Sequence, residues 1–326
     1  MIGDVHGDFQ RIVDELNALY EAGDEPYKLK ALRPVLKLEK EVIFGEPIST
    51  CGFHVFKPIP HEKLALAVDA SLKVLFDCGA FKVMLAKVSR SAWRGKRRLS
   101  FYEPIKRAKV VWSRVEAVEF LIDVELDAVL NSLDLLNEGS LCLLDRPLML
   151  FPRYSERIKL KLKNFAKSLE RSGVALVGIS KSSQLKLNTG EPLVGYLSYL
   201  SRQLGLSAPW SYMPIFNWGF EKWYLGTPTI TKFSDSSSYA FRVDVLAEDE
   251  LQVLSYLAYL QDDATPGYPY PVKLAHDEAK VCDQEIIHDR RALLEVLAEA
   301  GVLDRFLSSV RSSSFKEEFL WRRASR

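Results

Sequence analysis

The sequence predicts an α/β fold built on a mixed β-sheet, and three observations carry this prediction. Segments 63–71 and 81–89 have the pattern of two strands of a β-hairpin. The first is a run of apolar residues, the second alternates apolar and polar residues, and a Cys-Gly turn separates them. The short apolar segments 140–145 and 174–180 are typical of strands in the middle of a sheet. A helical pattern precedes each of these two strands, as expected where crossovers join parallel strands.

The elements follow one another in a definite order. Residues 8–22 predict an N-terminal helix, and the hairpin is followed by a third strand around 97–105. Helices and strands then alternate in this order: helix 110–137, strand 140–145, a cationic helix 153–171, strand 174–180, helix 191–205, strands in TITKF and YAFRVDVL, helix 248–261, a loop at 264–272 and helices to the end.

Three antiparallel strands followed by parallel strands with helical crossovers is the order of the ribonuclease H-like fold. We predict this fold for residues 61–290. A helical N-terminal extension, 1–60, and a C-terminal helical tail, 291–326, flank it. Both extensions are candidate docking or dimerisation surfaces.

Composition narrows the class of protein. The 326 residues are 48% hydrophobic and 27% charged, which describes a globular protein with ample core. The formal net charge of +1 means that any nucleic-acid binding has to come from local basic patches. Those patches are RGKRR at 94–98, KRAK at 106–109, RIKLKLK at 157–163 and WRRASR at 321–326.

No apolar run reaches the ~18–20 residues of a membrane span, and the four cysteines form no CxxC pair. We therefore expect a cytoplasmic protein without a membrane partner.

Two aspartates stand where apolar strands end. Asp69 follows LALAV, and Asp145 follows LCLL. Burying a carboxylate without a partner is costly, so each is a candidate metal ligand, although either alone could also cap a helix or turn. In the predicted topology their strands are neighbours, which places both carboxylates at the same end of the sheet. Two-metal nucleases hold divalent cations with such converging carboxylates.

The long helix and the C-terminal third offer further ligands. Glu116 and Glu119 share a face near the helix start, and the pattern does not separate them. Glu125 and Asp127 lie further along the same helix. His276 follows an apolar Leu-Ala after a Tyr/Pro-rich loop, although a lone histidine is more often structural than a ligand.

Four short motifs carry a family resemblance. LAVDAS (66–71), LLDRPL (143–148), VGISKS (177–182) and YPYPVKLAH (268–276) resemble, in this order, the motifs of the NurA-type nucleases. Those are RNase H-like, manganese-dependent DNA nucleases that work with the hexameric translocase HerA in processing DNA ends. The resemblance runs over roughly residues 60–290, and the four motifs in order are specific together although each is short.

The resemblance implies a metal-dependent deoxyribonuclease, a 5′–3′ exonuclease or single-strand endonuclease in end resection and double-strand break repair. Asp69, Asp145 and one helix glutamate, Glu116 or Glu119, would hold two Mn²⁺ or Mg²⁺ ions. His276 would act as a ligand or as a proton-transfer group. DNA, a HerA-type hexameric ATPase and a second copy of the chain are the implied partners.

Other positions match the family or depart from it. Lys181 matches a basic residue that would meet a phosphate, and Tyr268 matches a tyrosine of the last motif. Ala70 stands where the family usually has glycine, and Arg146 stands where a small residue usually follows the second aspartate. Arg146 would contact the scissile phosphate or reduce the activity. A weakly active or inactive module that binds DNA or a translocase therefore stays open.

The stretch GDVHGD at 3–8 raises another class, the calcineurin-like metallophosphoesterases, which often begin their metal site with an Asp and a His two apart. That class also needs a GNH(E/D) loop and an HxH pair, and the chain has no Asn-His dipeptide and no HxH. We therefore expect Asp4 and His6 to belong to a terminus, with Gly7-Asp8 leading into the first helix.

An aromatic run is the last feature. Its rings either stack on single-strand bases, or they form an aromatic core or a dimer contact. The residues are Trp210, Tyr212, Phe216, Trp218, Trp223 and Tyr224.

Overall fold

A computed structural model describes residues 5–24, 31–217, 219–220, 222–261 and 265–316. By their internal contacts they form two compact units. The first comprises the described residues up to His61 together with Asp145–Pro152 and Ala175–Tyr270. The second comprises Glu62–Leu144, Arg153–Val174 and the described residues from Pro271 onward.

Helices and strands alternate through much of the chain, which confirms the predicted mixed α/β class. The helices are α1 (Val5–Asp24), α2 (Arg114–Leu130), α3 (Glu156–Arg171), α4 (Leu193–Gln203), α5 (Glu250–Tyr259), α6 (Tyr270–Ala279), α7 (Asp283–Glu299) and α8 (Leu303–Lys316). The strands are β1 (Pro34–Lys37), β2 (Val42–Phe44), β3 (Phe53–Val55), β4 (Leu64–Asp77), β5 (Lys82–Arg94), β6 (Arg97–Phe101), β7 (Ile105–Val111), β8 (Leu141–Leu144), β9 (Ala175–Ser180), β10 (Lys186–Leu187), β11 (Trp210–Tyr212), β12 (Thr227–Lys232) and β13 (Phe241–Leu246). They form a ten-stranded mixed sheet and a three-stranded sheet. None of the described helices is long and apolar enough to cross a membrane.

In the second unit, β4 is flanked by two strands. It pairs antiparallel with β5 and parallel with β8, whose last residue, Leu144, lies opposite Val68. Both β6 and β7 pair antiparallel with β5. The predicted third strand around 97–105 is thus two consecutive strands, because β5 has 13 residues and is long enough to pair with both.

Helix α2 is shorter at both ends than the predicted 110–137. It begins after Ser113, whose hydroxyl accepts a hydrogen bond from the Glu116 N–H at 3.1 Å, a side-chain N-cap. The residues before it extend β7, and a short 3₁₀ turn, Leu133–Leu135, follows it. Asp123 links α2 to α3 by ion pairs with Arg157 (2.6 Å) and Lys161 (2.8 Å).

In the first unit, the strands run in the order β3-β11-β12-β13-β9, with antiparallel neighbours throughout. An aromatic core packs beside them. Trp210, Tyr212, Phe216 and Tyr224 belong to it and are buried. For these four rings the structure therefore favours the aromatic core over base stacking, because rings packed in a core cannot reach a DNA base. Trp223 packs partly buried against the same core, and Trp218 lies outside the described residues.

Helix α1 begins at Val5, earlier than predicted. His6, Gly7 and Asp8 therefore lie inside the helix instead of before it, and Asp4 lies outside the described residues. One face of α1 exposes large apolar side chains: Phe9, Ile12, Val13, Leu16 and Tyr20.

Candidate metal centre

Asp69 and Asp145 occupy matching positions next to paired residues of two parallel strands. Val68 of β4 lies opposite Leu144 of β8, and each aspartate is the next residue along its chain segment. Asp69 as a whole residue is 6% exposed, and its carboxylate accepts a hydrogen bond from the Ala70 N–H at 2.8 Å. The apolar strand before each aspartate therefore delivers a carboxylate to the same point.

His276 reaches Asp69 from helix α6. Its Nδ1 lies 2.7 Å from Oδ2 of Asp69. When Nδ1 carries the proton of a neutral imidazole, it donates a hydrogen bond to the carboxylate, and Nε2 is then the ring nitrogen with the lone pair. The histidine side chain is 41% exposed, so it is open to solvent while the aspartate is not.

Hydrogen bonds to β4 and β5 hold helix α6 in this position. The Ser71 hydroxyl donates to the Ala279 carbonyl. The Ser89 hydroxyl donates to Glu278 at 2.9 Å, and Arg98 forms an ion pair with the same carboxylate at 2.7 Å. Polar side chains on otherwise apolar strands thus fix the helix that carries His276.

Two predicted substrate-binding residues contact Asp145. Lys181 forms an ion pair with Oδ2 of the carboxylate, and the Tyr268 hydroxyl donates to Oδ1 at 3.0 Å. The Lys181 Nζ also lies 5.5 Å from the centre of the Tyr268 ring. Because 43% of the lysine side chain is exposed, it faces solvent beside the carboxylate that it pairs with.

A close backbone approach shapes the segment after Asp145. Arg146 is half-buried, and a Cβ at Gly178 would lie 2.4 Å from its carbonyl oxygen. A side chain at residue 178 would therefore push the segment away, which accounts for glycine in the VGIS stretch.

A fully buried ion pair anchors the same segment. Asp244 accepts a hydrogen bond from the Leu148 N–H at 2.8 Å, three residues after Asp145. Arg242 donates to both Asp244 oxygens, at 2.8 and 2.7 Å. Burial lowers the pKa of Arg242, but the charges of Asp244 and Tyr224 and the hydrogen bonds to Asp244 together outweigh it, so the pKa is raised. This pair was not predicted from the sequence, although two charges two residues apart in the apolar strand YAFRVDVL were a visible signal.

Asp69, Asp145 and His276 each offer one ligand atom, and these atoms lie within 4.8 Å of one another. Two carboxylates and an imidazole fit the oxygen and nitrogen ligands that Mn²⁺ takes, and carboxylates suit Mg²⁺. The donor set therefore fits a divalent metal ion.

The structure does not bring Glu116 or Glu119 into this group. Glu116 accepts a hydrogen bond from the Trp112 N–H at 2.7 Å and so closes the start of α2. Glu119 accepts from the Ser155 hydroxyl at 3.0 Å, beside the start of α3. Both carboxylates thus accept hydrogen bonds from groups next to a helix start instead of pointing to a metal ion.

The strand register explains their distance from Asp69. β7 ends at Val111, opposite Lys82, and Lys82 lies opposite Asp77 at the end of β4. Helix α2 therefore starts level with the far end of β4. The C-terminal end of α2 lies back at the level of Arg90 on β5, because Ser132, just after the helix, accepts a hydrogen bond from Arg90 at 3.1 Å. Arg90 lies opposite Val68, the residue before Asp69.

Glu125 is the buried acidic residue in this returning half of α2, at 2% exposure. The sequence pattern favoured Glu116 or Glu119 over it, because these two share a face near the helix start. Its apolar neighbours Val124 and Leu126 were the signal, since a charge within an apolar helix segment is unusual.

Comparison with known proteins places the fold. No protein-family model and no curated protein matches the sequence. The crystal structure of the NurA nuclease from Sulfolobus solfataricus is 13% identical, with a TM-score of 0.57 over 92% of this chain and 98% of that one. A NurA structure bound to dAMP and manganese is 11% identical, with a TM-score of 0.55 over 90% of this chain and 98% of that one. The chain therefore has the fold of the NurA nucleases, which confirms the predicted fold.

Proposed function

We propose that this protein is a metal-dependent nuclease that hydrolyses DNA phosphodiester bonds. The convergence of Asp69, Asp145 and His276, with ligand atoms within 4.8 Å, carries the proposal. The similarity in fold to NurA structures, one of them with dAMP and manganese, supports it. The four motifs in order support it as well.

The metal chemistry is that of phosphodiester hydrolysis. A divalent metal, when bound, activates a water for attack and stabilises the leaving oxygen. Asp69 and Asp145 would be its ligands, and we propose two ions, Mn²⁺ or Mg²⁺, on the strength of the resemblance.

The surrounding side chains supply the remaining functions. The Ala70 N–H and the Tyr268 hydroxyl orient the two carboxylates. His276, partly exposed and hydrogen-bonded to Asp69, binds metal or moves a proton at the leaving oxygen. Lys181 is exposed enough to contact the scissile phosphate while it remains beside Asp145. We propose the same contact for Arg146.

We also propose that Glu125 is the helix carboxylate of the metal centre. It lies in the half of α2 that returns to the level of Val68, as described above. β8 stops pairing with β4 at Val68, so on that flank of β4, in the described second unit, the ladder ends one residue before Asp69. We propose that the Glu125 side chain approaches the metal ligands beside this end of the ladder.

Three matched substitutions on α2 test this assignment. Glu125→Gln is expected to lower Mn²⁺-dependent cleavage by about 10–100-fold or more, the loss typical of disturbing a metal site. Glu116→Gln and Glu119→Gln keep hydrogen-bond acceptors for their helix ends and are expected to lower it far less. Cleavage rates at several Mn²⁺ concentrations separate weaker metal binding from misfolding. A Glu125→Gln enzyme with the wild-type rate and Mn²⁺ dependence would reject the assignment.

The implied partners belong to the proposal too. We propose that the protein forms a homodimer and acts in DNA end processing with a HerA-type hexameric ATPase. The exposed apolar face of α1 supports a docking role for the N-terminal extension, because an apolar helix face gains free energy when a partner covers it. The mass of the protein in solution, measured alone and with such an ATPase, tests both statements. A monomeric mass would contradict the homodimer, and an unchanged mass in the presence of the ATPase would contradict the complex.

The nuclease proposal itself is tested with end-labelled DNA. Purified protein is incubated with single- and double-stranded substrates in Mn²⁺, in Mg²⁺ and in EDTA. We expect shortening of the DNA that needs a divalent metal and stops in EDTA. The absence of any metal-dependent product from both substrates would show that the protein is a binding module instead.

A further inference from the structure

A charged cleft lies in the second unit, away from the metal ligands. Its volume is about 560 Å³, and β7, α2 and α3 line it. Four cationic and two acidic side chains contribute to its walls, which leaves an excess of two positive charges: Arg107, Lys109, Arg157, Lys161, Asp123 and Asp127. The cleft thus joins two of the basic patches in the sequence, 106–109 and 157–163.

The register of β5 places this cleft on the opposite face of the sheet from α6. Asp69 lies opposite Ser89, whose hydroxyl contacts Glu278 of α6. Arg107 lies opposite Ala86, three residues from Ser89 along β5. Because successive side chains of a strand point to opposite faces, Arg107 faces away from α6. Lys109, two residues on, shares its face.

Two of the four cations, Arg157 and Lys161, form ion pairs with acidic residues of the cleft, and the other two, Arg107 and Lys109, are exposed to solvent. Asp123 forms ion pairs with Arg157 and Lys161. Burial would raise the pKa of Asp123, but hydrogen bonds from these two cations lower it, so the carboxylate stays charged. Arg107 and Lys109 are exposed on β7. The Lys109 Nζ lies 5.9 Å from the centre of the Phe120 ring, which marks the cleft wall.

We infer that this cleft binds the phosphodiester backbone of DNA, at a second site that does not take part in cleavage. The inference rests on the proposed nuclease function for its ligand. Clustered arginine and lysine side chains neutralise backbone phosphates and release counterions, which is the main source of sequence-independent affinity. DNA in the cleft would lie across the sheet from His276, so it anchors a part of the substrate that is not being cut.

The test measures DNA binding without cleavage. Fluorescence anisotropy in EDTA follows single-stranded DNA of about 5 nucleotides, near the smallest site sizes of single-strand binding modules, and DNA several times longer. We compare wild type, the double variant Arg107→Gln with Lys109→Gln, and a control double variant, Lys163→Gln with Lys167→Gln. The control removes the same charge from exposed positions of α3 outside the cleft.

The cleft variant is expected to bind the longer DNA more weakly than the control does. Its slope of log Kd against log salt should fall by about 1.4, because each single-strand phosphate contact contributes about 0.7. Asp123→Asn removes the carboxylate partner of Arg157 and one of the two carboxylate partners of Lys161, so it should tighten binding. Equal weakening in cleft and control variants, or none in either, would overturn the inference.

A separate readout distinguishes this result from the nuclease proposal. Wild-type cleavage of end-labelled DNA in Mn²⁺ is measured in parallel. Cleavage together with equal binding by cleft and control variants would reject the second site and leave the nuclease standing. Cleft-dependent binding without any cleavage would reject the nuclease and leave the binding site standing.

Discussion

Replacing Asp69 by Asn is expected to reduce Mn²⁺-dependent DNA cleavage by more than about 100-fold, beyond the loss that removal of an outer-shell partner causes. Asparagine keeps the shape of the side chain but carries no charge, so it binds a divalent cation poorly. The same substitution at Asp145 should have a similar effect. Rates of end-labelled DNA degradation across a Mn²⁺ series provide the measurement.

Asp77→Asn is the matched control for this prediction. Asp77 ends the same strand, β4, but its side chain is 41% exposed and pairs with Lys82 at the surface. We expect the wild-type cleavage rate, since exposed ion pairs contribute little to stability. Equal activity of Asp69→Asn and Asp77→Asn would remove Asp69 from the metal centre.

Replacing Asp244 by Ala is expected to lower the free energy of unfolding by about 3–5 kcal/mol. The substitution leaves the Arg242 guanidinium buried without its counter-charge and frees the Leu148 N–H. Urea denaturation measures the loss. Glu156→Ala provides the comparison, because its side chain is 88% exposed and pairs with Lys159 one turn away, so we expect a much smaller loss than for Asp244→Ala.

A double variant separates charge burial from segment anchoring. Arg242→Met with Asp244→Leu removes both charges, and apolar pairs that replace buried ion pairs often restore stability. We expect the double variant to have a higher free energy of unfolding than Asp244→Ala. Its DNA cleavage should still need more Mn²⁺ than that of the wild type, because the Leu148 N–H near Asp145 loses its hydrogen-bond acceptor. Two variants of equal stability would show that the buried charge is not what destabilises Asp244→Ala.

The sequence predicted the elements that local pattern determines. Asp145 follows the apolar strand β8 as predicted, because a run of buried residues and a carboxylate are both local features. Asp69 was expected to end its strand as well, but β4 continues through it to Asp77, so that strand end was predicted wrongly. His276 was found through a motif. Its contact with Asp69 depends on α6, and the hydrogen bonds from Ser71 and Ser89 that hold α6 link residues about 200 positions apart. No local pattern encodes that contact.

The position of the long helix could not be predicted from the pattern. Glu116 and Glu119 stand near the helix start, and a strand of ordinary length would place that start near the metal ligands. β4 instead continues to Asp77, so the start of α2 lies far along the strand, and only the later half of the helix, which carries Glu125, comes back toward the level of Val68. The aromatic run stayed open between a core and base stacking for a related reason, since the exposure of Trp210 and Tyr224 depends on packing that the sequence does not show.

A crystal of this protein soaked in Mn²⁺ and measured at the manganese absorption edge tests the metal centre most directly. Our account predicts an anomalous peak bound by the carboxylates of Asp69 and Asp145, with His276 beside it and Glu125 as the helix ligand. A peak held by other residues, or none at these carboxylates at Mn²⁺ concentrations that support cleavage, would contradict it.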